Sequence, residues 1–436
     1  YMSTVQGYEA VQHLIRSSDD EESMIIGMQR NKVTAVSLME SVKTTRSIAD
    51  HISNGDFETA IDLRGGSFRE MVHTFKTLAQ AFPKPPEGEN GKRNILVLNG
   101  DSPAPGMNKA VRTLVRLSLD KGHKIFGASN SFEGLADGEV HEMEWMEVEE
   151  WASLGGSALG TNKKELEMKD YYAIAKNLEK HQINAIVMIG GALGYKTIYE
   201  FLLKKDEFPA FDIPMICLPA SIHNNLPGTD FSIGADTALN NIVEAVDKIK
   251  ESAVASKRTF VVEVFGRYCG YLAVMSGLAT GAEQIYTHEK GVTLKDLKDD
   301  VDMLVGRFKA GKRLGLVIRN QFANQIYTTP FIAALYEEEG GDIFDVRQAI
   351  LGHLQQGGNP STFDRSLATR LSTLAMEHLE ALNMNSGSRY LSIGLKGGHP
   401  MINQLEDLPK MMDLKFSRPK EQWWIGLKKV SEAMSK

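Results

Sequence analysis

Five short apolar runs, at residues 95–98, 185–189, 215–218, 260–264 and 314–318, alternate with amphipathic segments at 107–119, 171–178, 235–249, 297–308 and 367–379. No other feature restricts the fold as much. A strand that is apolar throughout must be covered on both faces, and the helices between such strands supply the cover. The expected class is therefore α/β, with parallel-rich sheets flanked by helices. Ligands of such sheets sit at the carboxyl ends of the strands, where the loops beginning at Asn99, Gly190, Pro219, Phe265 and Asn320 fall.

The region before residue 93 is organised differently. Val5, Tyr8, Val11, Gln12 and Ile15 have helical spacing, an acidic break follows at 19–22, and a strand is expected at 24–28. Val42, Thr45, Ile48 and Ile52 predict a helix that Asn54-Gly55 stops, and another spans 68–81. PKPPEGENGK at 83–92 has the proline, glycine and charge of a linker. With 436 residues the chain exceeds one ordinary core and suggests roughly two to three domain-sized units. Ile26-Gly27-Met28 follows a helix carrying Tyr8, Val11 and Leu14, with Leu38 further on. Ile393-Gly394-Leu395 follows one carrying Leu371, Ala375 and Leu379, with Leu405 at the same interval. This is either chance periodicity or an internal repeat, in which case the region before the linker is the tail of a first copy.

A formal net charge of −7 leaves no basic excess to neutralise a nucleic-acid backbone, so any anion site must be local. Cys217 and Cys269 lie in apolar surroundings and are expected to be buried, reduced thiols. No apolar run is long enough to span a membrane and no signal peptide is seen, so a cytoplasmic setting is expected.

The stretch PASIHNNLPGTDFSIGADTAL (219–239) joins an apolar strand to a long helix. It is dense in hydroxyls and amides but has no carboxylate before Asp230, which suits holding a phosphate or sugar better than abstracting a proton. The alternative is a polar turn with Asp230 or Ser232 near the helix N-cap. Four further loops carry chemistry: NGDSPAPGMNKAVR (99–112), GGALGYKT (190–197), VFGRYCGYLA (264–273) and GHLQQGGNPSTFDR (352–365). The first two place glycines where phosphates sit over a helix N-terminus.

Together and in this order the motifs resemble the ATP-dependent 6-phosphofructokinase family, specifically the C-terminal half of the duplicated eukaryotic, fungal-like enzyme. The resemblance implies a phosphofructokinase-type fold of two Rossmann-like subdomains. Residues 1–80 would be the tail of the N-terminal catalytic half, 81–92 a connector, and 93–436 the C-terminal regulatory half. Catalytic halves carry SIDND, whose first Asp is the base, where this chain has Ser221-Ile222-His223-Asn224-Asn225. They carry GGDGS, with an Asp serving the magnesium nucleotide, where Ala192, Leu193 and Gly194 replace the last three residues. They have a glycine pair where Asp101 and Ser102 stand, and a carboxylate there repels polyphosphate. The resemblance therefore implies no catalytic or metal-binding residue in this segment. ATP and magnesium would belong to the N-terminal half of the parent enzyme.

What it implies instead is a site for the activator fructose 2,6-bisphosphate, descended from the substrate site. A second phosphate would be repelled by two carboxylates and accepted by His223, Asn224 and Asn225. By the same resemblance Lys163 stands where Arg is usual, Ser221 and Ile222 supply loop backbone, and Phe265-Gly266-Arg267 form a turn. Gln321 takes the place of a Glu, and His353, Leu354, Gln355 and Gln356 form the segment after it. Arg258 and Arg347 would reach a neighbouring subunit's site, so other phosphofructokinase subunits are expected partners, and Arg418 would close the pocket. Tyr268, Cys269 and Tyr271 are expected in the core, and Trp423-Trp424 would pack a terminal segment. Two other readings stand beside this one: an architectural half without a ligand, and an active sugar-phosphate kinase using His223 as base.

Overall fold

The computed structural model describes residues 2–17, 22–29, 32–82, 92–254, 256–382, 389–427 and 429–430. The linker expected at 83–92 lies, except for Lys92, outside the described residues. The expected strands and helices form close to their predicted bounds. They are β3 (Asn94–Gly100), β6 (Ala185–Gly190), β7 (Met215–Pro219), β8 (Arg258–Val264) and β10 (Leu314–Asn320), with α5 (Met107–Asp120), α7 (Met168–Lys180), α9 (Ala235–Val254), α11 (Leu294–Lys309) and α13 (Thr362–Ala381).

The structure adds elements that periodicity does not disclose: β4 (Lys124–Ala128), α6 (Ser131–Asp137), β5 (Val140–Glu142), α8 (Ala192–Lys204), α10 (Tyr271–Thr280), β9 (Gln284–Tyr286), α12 (Thr329–Gly340), β11 (Asp345–Ile350), β12 (Tyr390–Lys396) and β13 (His399–Gln404). Two sheets result. The larger has seven strands in the order β13-β12-β7-β6-β3-β4-β5, parallel through its middle and antiparallel only at the outer strands β13 and β5. The smaller, β11-β8-β10-β9, is parallel throughout.

Each central strand feeds two cores, which is why it reads as an unbroken apolar run. Ile95 and Val97 of β3 pack with Val111 and Leu114 of α5 and Leu371 of α13. Leu96 and Leu98, one residue out of phase, pack with Ile174 of α7 and Ile198 and Phe201 of α8. The first of these cores continues through Ile242 of α9 and Leu272 of α10 to Val262 and Ile318 of the small sheet, so the two sheets share it. The outer face of the small sheet is covered by α11 and α12, with Val261 and Val317 against Leu304 and Ile332.

Before the large sheet come α1 (Met2–Arg16), a hairpin of β1 (Met24–Gln29) and β2 (Lys32–Ser37), then α2 (Leu38–Ser53), α3 (Phe57–Leu63) and α4 (Gly66–Leu78). A hydroxyl pair, Thr74 Oγ1 and Thr373 Oγ1 at 3.0 Å, fixes α4 against α13. The order helix then antiparallel hairpin occurs twice, as α1 with β1-β2 and as α13 with β12-β13, and Ile26 and Ile393 each lie on the first strand. Cys217 and Cys269 are buried and unbonded. Trp424 is buried in the shared core. Among the described residues no helix is long and apolar enough to cross a membrane.

Candidate functional site

The carboxyl ends of β3, β6, β7 and β8 converge on a cavity of about 360 Å³ between the two sheets. Asp101 and Ser102 follow β3, Gly191, Ala192 and Leu193 follow β6, and Ala220, Ser221, Ile222, His223 and Asn225 follow β7. Gly266, Arg267 and Tyr268 follow β8; Lys163, Glu165 and Lys196 add charge; and Phe416 and Ser417 close one side. Those last two join a pair of two-residue strands, β14 (Met412–Asp413) and β15 (Arg418–Pro419), which follow the short helix α14 (Leu408–Met411).

The loop after β7 is held by its own polar groups. Ser221 Oγ donates to Asn225 Oδ1 (2.7 Å) and accepts from the His223 amide (3.2 Å), while Asn225 Nδ2 donates to the Ser417 carbonyl (2.8 Å). Asn224 adopts φ +48° and does not line the cavity. Its Nδ2 donates to the Asp230 carbonyl (2.8 Å) and its Oδ1 accepts from the Ser232 amide (2.7 Å), so the expected phosphate donor is a buried brace.

The expected local cap on α9 is also replaced. Asp230 Oδ2 accepts from the Gly397 amide (2.6 Å), and Ser232 Oγ donates to the Ser221 carbonyl (2.6 Å). With both side chains engaged elsewhere, the cap comes from Asp364 of α13. Its Oδ1 accepts from the Gly234 amide (2.8 Å), and its Oδ2 from the Thr237 amide (2.8 Å) and hydroxyl (2.5 Å). Burial pushes the Asp364 carboxyl up to about 6 against these donors.

His223 forms part of the wall, with protein packed closely round it. Its carbonyl accepts from Cys269 Sγ (3.4 Å), and Phe265 meets its ring edge-on at a centroid distance of 6.4 Å. Among the described residues its buried Nδ1 has no partner. Burial pushes its pKa down to about 4; Asp101 opposes that, while Arg267 and Lys163 reinforce it. The imidazole is therefore neutral at pH 7. Lys163, Lys196 and Arg267 face the cavity as cations against Asp101 and Glu165. Lys196 is engaged, donating to the Leu414 carbonyl (3.0 Å) and to Ser417 Oγ (2.8 Å). Lys163 and Arg267 are exposed and make no hydrogen bond or ion pair among the described residues, and Arg267 sits at φ +48°.

The cavity thus brings together six of the expected positions besides His223: Lys163, Ser221, Ile222, Asn225, Gly266 and Arg267. The remainder stand behind or away from it. Phe265 packs between the His223 and His353 rings and donates its amide to Gln355 Oε1 (2.9 Å). Gln356 Nε2 donates to the Pro103 carbonyl (3.0 Å), His353 is exposed with Gln356 Oε1 3.2 Å from its Nδ1, and Leu354 is exposed. These residues set loop positions. Gln321 donates its amide to the Val264 carbonyl (2.9 Å) and does not line the cavity.

Arg418 lies outside the cavity lining too. It donates to the Tyr268 carbonyl (2.6 Å) and lies 3.0 Å from His288 Nδ1, tying β15 to the turn after β8. Arg258 and Arg347 both approach Asp345, at 3.7 and 3.8 Å. Arg258 opens β8 at the end away from the cavity, about 20 Å off at the usual rise per residue, so it cannot serve its own chain's cavity.

Sequence reasoning missed Lys196, Tyr268, Phe416 and Ser417. Lys196 was within reach, since it lies inside the GGALGYKT motif. Tyr268, expected in the core, instead lines the cavity, because the turn after β8 points its ring toward His288 and Phe416 at 4.9 and 5.2 Å. Phe416-Ser417 has no periodicity to betray it, because the flanking strands are two residues each. Magnesium, which takes hard oxygen ligands, finds little here. The side chains of Ala192 and Leu193 carry no oxygen, and the Asp101 carboxylate beside them accepts from the Leu193 amide. Among the described residues no group of three acidic, histidine or cysteine side chains is placed to hold a metal.

Residues 94–379 match the family described as Phosphofructokinase. The chain is 41% identical over 442 residues to the ATP-dependent 6-phosphofructokinase of Dictyostelium discoideum, an alignment that covers 100% of this chain and 52% of that one. Phosphofructokinase from Saccharomyces cerevisiae superposes with a TM-score of 0.92 at 33% identity, covering 99% of this chain and 59% of that chain. Phosphofructokinase from Pichia pastoris, in the T-state, gives 0.92 at 30% identity, covering 99% and 51%. The chain spans about half the length of the curated relatives it matches.

Proposed function

The chain belongs to the phosphofructokinase family, and from that premise we propose that it is the regulatory C-terminal half of a duplicated eukaryotic 6-phosphofructokinase whose cavity binds fructose 2,6-bisphosphate. The observation that carries this reading is the pairing of two cations without partners among the described residues, Lys163 and Arg267, with a loop after β7 that has no carboxylate facing the cavity. A kinase site needs a base for the sugar hydroxyl and oxygen ligands for the magnesium nucleotide. His223 and Leu193 provide neither a carboxylate base nor a metal ligand. In the parent enzyme, ATP and magnesium would act in the N-terminal half, whose tail would be residues 1–80, joined through a connector at 81–92 to the half at 93–436. The recurrence of helix and hairpin at α1 and α13 supports that division.

The same reading makes the parent enzyme cytoplasmic and oligomeric, with Arg258 and Arg347 serving a neighbouring subunit. The fungal-like character of the parent enzyme belongs to the same proposal. Activator binding would favour one state of the oligomer only through higher affinity for that state. Titration calorimetry of the assembled protein with fructose 2,6-bisphosphate should give saturable heat. A flat titration would favour a purely architectural half, which the position of Gln321 outside the cavity also favours. Phosphoryl transfer by this segment that is lost on changing His223 would instead favour the kinase reading.

One further outcome concerns pH. A bound phosphate dianion beside His223 stabilises the imidazolium, so the histidine's pKa rises on binding and the complex takes up a proton. Affinity must then fall as pH rises through the pKa of the complex, by at most about tenfold per unit. Phosphate ionisation has the opposite slope, so the measurement is the difference between wild type and His223→Gln. That difference should shrink with rising pH, and a constant difference would eliminate His223 as the proton acceptor.

A further inference from the structure

Asp101 breaks a local rule. It is a non-glycine residue at φ +72°, where an L side chain costs about 1 kcal/mol or more, and within the loop its carboxylate accepts only from Ser102 Oγ (3.3 Å) among the described residues. What the conformation achieves is contact with α8. Asp101 Oδ2 accepts from the amide of Leu193, the second residue of that 13-residue helix, at 3.1 Å. This amide is one of the orphan donors that make a helix start attractive to anions. The helix otherwise has no side-chain cap and no acidic residue in its first turn. The fit extends to Gly191, the cap residue, where an added Cβ would lie 2.6 Å from Asp101 Oδ2. The same cavity wall carries the buried Nδ1 of His223, together with the cations Lys163 and Arg267, none of them with a hydrogen-bond partner among the described residues.

We propose that Asp101 is a built-in anion that occupies the phosphate position at the α8 N-terminus, so that the cavity refuses polyphosphates and accepts anionic ligands only at its Lys163–Arg267 end. Asp101 is thus a specificity-determining residue, acting both by filling the donor site and by repelling a second anion. The claim does not need the fructose 2,6-bisphosphate reading; it concerns which phosphate geometry is turned away.

The test uses the full protein with inorganic tripolyphosphate and ADP as probes, comparing wild type, Asp101→Gly, Asp101→Asn and Glu165→Gln by calorimetry. Asp101→Gly frees the Leu193 amide and suits the left-handed backbone, so tripolyphosphate affinity should rise tenfold or more. Asp101→Asn keeps an acceptor on that amide but removes the charge, so its gain should be smaller. Glu165→Gln removes equal charge from the same cavity without uncovering α8, and affinity should change less than threefold. Equal gains in Asp101→Gly and Glu165→Gln would reduce the effect to net charge and overturn the proposal. So would tripolyphosphate binding by wild type as tight as by Asp101→Gly. Thermal melts confirm that each variant is folded, and Asp101→Asn keeps the test decisive if the glycine variant is not.

Discussion

Replacing Arg267 with alanine is expected to weaken fructose 2,6-bisphosphate binding roughly 100-fold while leaving the fold intact. A charge-assisted hydrogen bond contributes about 1.5–3 kcal/mol, and a guanidinium facing one phosphate can make two. Arg267 is exposed and unpartnered among the described residues, so its removal breaks no internal contact and should shift stability by no more than about 0.5 kcal/mol. Arg267→Lys keeps the charge and loses the fork, so a loss nearer tenfold is expected. Calorimetry on the three proteins decides: if alanine binds within threefold of wild type, the cation that anchors the ligand lies elsewhere.

Asp364→Ala should be the most destabilising single change at the site, by about 3 kcal/mol. Two buried amides, Gly234 and Thr237, lose their acceptor, and each orphaned donor costs about 1–3 kcal/mol. Because the same carboxylate joins α13 to the start of α9, the loop that carries His223 should loosen with it. The sign of the pH effect follows from the shift. Burial holds the folded carboxyl near 6, above the ordinary aspartate range, so its neutral form is the one the fold favours. Its contribution is fully present below the unfolded pKa of about 4 and is lost as pH rises through about 6. Asp364→Asn cannot ionise, so wild type should exceed it in stability by more at pH 4 than at pH 7. Urea midpoints for the pair at several pH values measure this, and a gap that widens with pH would contradict the assignment.

The central strands and long helices were legible in sequence because each β3-type run is apolar on both faces and each helix shows one apolar stripe. What escaped has identifiable causes. Strands β4, five residues long, and β9, three, are buried on both faces but too short to stand out as apolar runs, and β11 is an edge strand with Arg347 and Gln348 exposed. The candidate site divides the same way. His223 and Arg267 could be found because a strand-end loop announces itself by glycines and polar density, whereas Lys163, on the loop before α7, was marked only by the family resemblance. Asn224 and Gln355 could not be told from ligand donors, because whether an amide faces a cavity or braces a loop depends on partners such as Ser232 and Phe265, which only the folded backbone brings close. The capping of α9 by Asp364 is a contact across 130 residues and has no local signature.

Strands β7 and β12 are sheet neighbours, yet the whole four-stranded unit lies between them in the chain. This has a consequence for synthesis. When β7 leaves the ribosome its partner on one side does not yet exist. At roughly 5–20 residues per second the interval before Tyr390 is made is on the order of ten seconds or more. Throughout it, a strand whose five residues are all buried in the finished protein presents an open edge, the kind of surface on which nascent chains misassociate. The small parallel sheet, complete by Ile350, can form during that wait. Late arrival of β12 then makes the closing of β7's edge, with β13 added outside it, a late step in building the large sheet, and slowing translation between β7 and β12 should lower the yield of folded protein.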